Sequence, residues 1–214
     1  MSDTATQFLP VNMANIDTSS SDDCHEDKVD VALMERVKLG DHAAFETIVE
    51  RHQSAIIGTV AKMLGNASEA EDIAQQVFIR LWKSAKRYKH QAKFTTFLFT
   101  ITRNLVFNET RKKSRRKTYS LEEREESTHS EAPAESSIAP DSELLHAELR
   151  ETVDKAIESL PEKQRLALIL RRYENLSYEE IADITELSVS AVKSQLFRAR
   201  TTLREQLSHY MGEE

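Results

Sequence analysis

Apolar residues recur along this chain at helical spacing, and no stretch alternates as a half-buried strand would. Val31, Met34 and Val37 form one short stripe, stopped by Gly40. Asp41 opens a longer one, on which Phe45, Ile48, Val49, Ile56, Val60, Met63 and Leu64 face inward and which Gly65 and Asn66 close. Ser68 with Glu71 predicts a capping box at the head of the next helix, whose inner positions are Ala74, Val77, Phe78 and Leu81. Phe94, Phe97, Leu98, Ile101 and Leu105 repeat the pattern. Further on, Val153, Ala156, Ile157 and Leu160 make another stripe, Pro161 takes a first helical position, and Leu166, Ile169, Leu170 and Tyr173 make the next. The expected fold is all-α.

Residues 177–200 predict two short helices around a tight corner. Ser177 and Glu180 form a capping box, Ile181 and Ala182 supply the inward face, Leu187 sits in the turn, and Ser188 caps the second helix. Val189, Val192, Leu196, Ala199 and Leu203 then fall at i, i+3, i+7, i+10 and i+14 on one side. The other side carries Ser190, Lys193, Ser194, Gln195, Phe197, Arg198 and Arg200. Donors and cations in that array suit a helix laid in a DNA major groove. The alternative is a surface hairpin whose basic face is merely solvated.

The net charge of −7 argues against a nucleic-acid partner until its distribution is read. Residues 1–27 carry −6, 28–117 carry +9, 118–143 carry −7 and 144–214 carry −3. An acidic, disordered tail (1–27), a basic helical domain (28–117), a flexible acidic linker (118–143) and a mixed domain ending in the two-helix motif (144–214) follow one another. Within the basic domain, the loop at residues 87–93, RYKHQAK, is cationic, and the helix bearing Arg103 and Asn104 runs out into RKKSRRK at 111–117. Phosphate contact is the better reading of that run than a solvated tail.

The single cysteine, Cys24, cannot form an internal disulfide, which suits a reducing compartment. No secretory leader opens the chain, and its apolar runs, such as 166–170, fall far short of the roughly 20 residues of a membrane span. These features place it in the cytoplasm without membrane insertion. Its seven histidines are scattered, with no metal-spaced cluster and no glycine-rich phosphate loop. No catalytic, metal or cofactor site is expected.

Taken in order, GDHAAFETIVERH at 40–52, AEDIAQQVFIRLW at 70–82 and FTTFLFTITRN at 94–104 resemble region two of the extracytoplasmic-function (ECF) group of bacterial RNA polymerase sigma factors. LPEKQRLALILRRYENLSYEEIADITELSVSAVKSQLFRARTTL, from 160 to 203, resembles region four. The resemblance implies a protein that binds core RNA polymerase, recognises promoter DNA and helps open it, under restraint by an anti-sigma factor or other regulator. It implies docking on polymerase through Asp72, Gln75, Gln76, Phe78, Leu81 and Trp82, of which Phe78 and Leu81 also read as core; Gln76 stands where the family often has Glu. It implies −10 contacts from Lys89, His90, Gln91, Lys93, Arg103, Asn104, Arg111 and Lys112, around a pocket for one flipped base. Phe97 replaces the family's usual Trp. It implies −35 contacts from Lys193, Ser194, Phe197 and Arg198, with Ser190 and Arg200 on phosphates, and a linker that threads toward the polymerase channel.

Three rival readings remain open. A two-helix repressor or activator explains 160–207 but leaves 30–117 without a role. An enzyme on nucleic acid lacks a reactive cluster, and a protein-only adaptor is separated by salt-dependent DNA binding. Residues 1–27 are a regulatory tail, a screen over the basic domain, or the product of an early start codon, given Met13.

Overall fold

The structure, a computed structural model, describes residues 20–123 and 141–208. Among the described residues there are helices and turns but no strand. The helices are α1 (Ser20–Lys38), α2 (His42–Leu64), α3 (Ala67–Ser84), α4 (Phe94–Glu123), α5 (Asp141–Ser159), α6 (Glu162–Arg172), α7 (Tyr178–Thr185) and α8 (Val189–Gln206), with a 3-10 turn at Ala85–Arg87 after α3. No helix among the described residues is long and apolar enough to cross a membrane.

Each predicted stripe supplies a share of the core. Met34, Ile48, Ile56, Val60, Met63, Val77, Leu81, Phe94 and Leu98 are buried where α1 to α4 meet, and Leu160, Ile169, Leu170, Ile181, Ile184 and Val192 where α5 to α8 meet. At about 1.5–3 kcal/mol per fully buried large side chain, this packing outweighs any helix propensity in the same segments. Asp41 caps α2 through the Ala44 amide (3.1 Å), and Gly65 ends it at φ 66° in the left-handed region. Asp30, only 2% exposed, joins α1 to α2: it accepts from Arg51 Nε at 2.8 Å and lies 2.9 Å from His52 Nε2.

Three local expectations need correction. The Ser68–Glu71 box does not open α3; Asn66 caps it, its Oδ1 accepting from the amides of Ser68 (3.0 Å) and Glu69 (3.3 Å). Pro161 stands at the N-cap of α6, one position ahead of the helix. Tyr173 is 41% exposed and not core; it sits at the rim, with Lys62 Nζ 4.4 Å from its ring centroid. The expected boundaries also fall inside helices: α1 starts within the tail and α4 runs to Glu123. Residues 1–19 of that tail and 124–140 of the acidic linker lie outside the described residues.

The two helical groups share one continuous core, α2 lying against α5 and α6 and α4 against α7. Polar links tie them at the rim. Thr59 Oγ1 donates to Glu174 Oε1 at 2.9 Å, Arg165 Nη1 donates to the Met63 carbonyl at 2.7 Å, and Thr110 donates to Glu162.

Candidate functional site

The capping box at Ser177 forms in full: Ser177 N–H donates to Glu180 Oε2 (2.7 Å) and Glu180 N–H donates to Ser177 Oγ (3.1 Å). α7 ends at Glu186, whose φ of 57° is left-handed. The amides of Glu186 and Leu187 return to the carbonyls of Asp183 (3.4 Å) and Ala182 (3.0 Å), which turns the chain sharply into α8. Ser188 caps α8 by accepting from the Ala191 amide at 3.2 Å. With Val192, Leu196 and Ala199 buried beneath, the helix presents Ser190, Lys193, Ser194, Phe197, Arg198 and Arg200 to solvent. Phe197, 72% exposed, is a large apolar side chain left bare among cations and hydroxyls. Such a face can hydrogen-bond base edges, touch a thymine methyl and pair with phosphates.

On the first group the loop after the 3-10 turn exposes Lys89, His90 and Gln91, and its hinges are buried. Tyr88 is 4% exposed, its ring centroid 5.2 Å from that of Phe97 and 6.4 Å from that of Phe94. Burial, with the carboxylates of Asp27, Glu35 and Asp30 nearby, pushes its phenol up to about 12. Lys93 and Arg103, expected to meet DNA, pair here with carboxylates of α7 and its C-terminal cap. Lys93 Nζ lies 3.0 Å from Glu180 Oε1. Arg103, 8% exposed, donates through Nη2 to Asn104 Oδ1 (2.7 Å) and to Glu186 Oε1 (2.6 Å). Burial would raise the Glu180 carboxyl, but the Ser177 amide and the Lys93 ammonium outweigh it and hold the group below its ordinary range. Burial pushes Glu174 the other way, above that range, and the Thr59 hydroxyl only partly offsets it. An open cleft of about 510 Å³ lies between the groups, with Asp27, Asp30, His52, Lys93, Glu174 and Glu180 in its walls.

Asp72, Gln75 and Gln76 stand exposed on one face of α3. Phe78 and Leu81 do not join them: at 7% and 0% exposure they pack inward and support that face from behind. Trp82 is half-buried, stacked on His42 with ring centroids 4.7 Å apart and edge-on to Phe45 at 5.0 Å. Sequence periodicity misses Ile79, which is 50% exposed at the i+3 and i+4 positions from Gln76 and Gln75. Its signal is an isoleucine off the apolar stripe of its own helix. Arg111 and Lys112 are exposed on α4, Lys112 paired with Glu109 at 3.0 Å. A groove of about 340 Å³ sets both of them and Arg115 beside Gln76 and Arg80 of α3.

Residues 48–116 match the family model for sigma-70 region 2, and residues 150–203 match that for sigma-70, region 4. RNA polymerase sigma-H factor of Pseudomonas aeruginosa is 35% identical over 189 residues, spanning 86% of this chain and 96% of that protein. ECF RNA polymerase sigma factor SigW of Bacillus subtilis is 35% identical, spanning 81% and 94%. ECF RNA polymerase sigma-E factor of Escherichia coli is 34% identical, spanning 83% and 94%. Among solved structures, CnrH in complex with the cytosolic domain of CnrY aligns with a TM-score of 0.62 at 20% identity, over 85% of this chain and 98% of that one. The sigma factor RpoE in complex with the anti-sigma factor NepR, from Bartonella quintana, aligns at 0.59 with 24% identity, over 77% and 96%. These two share the fold. With both sigma-70 regions matched in order and the relatives aligned over nearly their whole length, the chain belongs to the ECF group of bacterial RNA polymerase sigma factors.

Proposed function

We propose that this sigma factor divides its task among three surfaces. It binds RNA polymerase and recognises promoters for initiation, as its family does. Within that task, Asp72, Gln75, Gln76 and Ile79 of α3 meet polymerase, with Trp82 at the edge. The loop at 89–93, Arg103 and Asn104 take the −10 element, and Arg111 and Lys112 hold its backbone. The outer face of α8 takes the −35 element. Residues 28–117 and 144–214 act as the two working domains, and the acidic stretch at 118–143 tethers them. The chain works where polymerase is, in the cytoplasm, and carries no reaction of its own.

The observation that carries this reading is the bare face of α8, where Lys193, Phe197 and Arg198 have no burial to account for them. A consequence follows from the α7 contact. Lys93 and Arg103 reach DNA only after Glu180 and Glu186 give way to phosphates, so promoter recognition requires the two groups to part. CnrH and RpoE are bound to CnrY and to NepR, and a regulator of that kind is proposed here too.

In vitro transcription with core polymerase, followed by start-site mapping, supplies a promoter for the test. On it Arg198→Ala should weaken closed-complex formation by about 1–3 kcal/mol, the value of a base-edge contact. Asn104→Ala should leave that step nearly intact and reduce permanganate reactivity of unpaired thymines, since a flipped-base pocket acts only after the strands part. Equal loss of both steps in each variant would refute the division.

A further inference from the structure

The loop at 89–93 poses a mechanical problem that its own residues do not solve. Lys89, His90, Gln91 and Ala92 are exposed, so the loop has no apolar anchor between Tyr88 and Phe94. It runs into the N-terminus of α4, where the first helical amides have no partner within the helix. The residue at that junction, Lys93, has only donors on its side chain and cannot cap.

The missing acceptor comes from 67 residues upstream. Asp27 Oδ1 accepts from the Phe94 amide at 2.7 Å, and Asp27 Oδ2 lies 3.4 Å from His90 Nε2. The carboxylate is 17% exposed, set in the wall of the cleft between the two helical groups. One side chain thus grips both ends of the segment 90–94. Its charge also lies at the positive end of the α4 dipole, where an anion is favoured.

We infer that Asp27 is a positioning residue for the −10 contact: by capping α4 from another helix and holding His90, it fixes the loop at 89–93 in the shape that receives the unpaired strand. Asp27 does not touch DNA. It acts through the loop, and the inference rests on the assignment of that loop to the −10 element. Preformed geometry matters here because an unstacked base is costly to extrude, and a loop that must also order itself adds to that cost.

The experiment uses the full chain with core polymerase on a promoter mapped by in vitro transcription, comparing Asp27→Ala, Asp27→Asn and Asn104→Ala. Core association and closed-complex formation report the fold, and permanganate reactivity reports opening. Asp27→Ala should leave the first two within about twofold and lower opening about fivefold, the equilibrium shift that accompanies loss of a typical N-cap. Asp27→Asn keeps an oxygen for the Phe94 amide and should recover most of that loss. Three results would overturn the inference: Asp27→Ala reduces association, closed complex and opening alike; Asp27→Asn fails to rescue; or Asp27→Ala opens normally while Asn104→Ala does not. If both Asn104→Ala and Asp27→Ala open normally, the −10 assignment of the loop falls first and takes the role of Asp27 with it.

Discussion

At the scale of one residue, Glu186 sits where helix corners usually have glycine. A side chain held at φ 57° costs about 1 kcal/mol or more, because Cβ crowds the carbonyl that follows. What the position gains is the hydrogen bond its carboxylate accepts from Arg103, 83 residues away. Glu186 is 73% exposed at the side chain, so water screens the pair and its net worth is below about 1 kcal/mol. Two effects of opposite sign therefore meet at one position. Glu186→Gly should raise the stability of the second helical group by about 1 kcal/mol in denaturant titration, by relieving the corner. It should also lower fluorescence transfer between dyes on α3 and α8, because Arg103 loses its partner across the groups. A variant that is less stable and equally closed would show that the corner is relaxed and the ion pair idle.

At the scale of the element, two capping boxes expected from the sequence fare differently. Ser177 and Glu180 form both bonds of the box, whereas Ser68 and Glu71 form neither, since Asn66 has already capped α3. The difference lies in the connection. Gly65 turns α2 in the left-handed region, and only Gly65 and Asn66 separate the two helices, so the chain must re-enter a helix at Ala67. Asn66 is extended there (φ −143°) and presents a good acceptor. Ser177→Ala should accordingly cost about 1 kcal/mol of unfolding free energy, and Ser68→Ala should stay within about 0.5 kcal/mol of the parent. Equal losses in chemical denaturation would mean that the two serines cap alike.

The same contrast explains what could be read in advance. Helical stripes such as Val192, Leu196 and Ala199 are legible because burial imposes a period, and the solvent face of α8 is legible as their complement. Asp27, Glu180 and Glu186 were not legible as partners of His90, Lys93 and Arg103. Their contacts join distant parts of the chain through charges that, in sequence, look like a solvated tail and a solvated face. Ile79 lay hidden for the opposite reason: one apolar residue off a stripe carries little weight beside a complete one.

At the scale of the whole molecule, the charge pattern acquires a different meaning from the one the acidic segments suggest. The basic stretch, +9 over residues 28–117, is met by a carboxylate of α7, Glu180 on Lys93, and by that of its C-terminal cap, Glu186 on Arg103. Closure should then respond to pH in two stages, because two carboxyls at the contact are displaced in opposite directions. Glu174, covered by α2 and held by Thr59, has its pKa raised by burial, so it favours closure once protonated and opposes it as pH rises through that raised value. Glu180 is held below the ordinary 4.5, so its support is present above 4.5 and is lost as pH falls through the lowered value; the Lys93 share of that support belongs to the contact between groups. On acidification from pH 7, fluorescence transfer between the groups should first rise as Glu174 takes up a proton and then fall as Glu180 loses its charge. Glu174→Gln should abolish the rise and leave the chain more closed at pH 7, while Glu180→Gln should weaken the fall. Added salt should open the parent at pH 7 by screening the ion pairs at Lys93 and Arg103. Transfer that declines steadily from pH 7 downward would show that burial of Glu174 does not depend on the closed state.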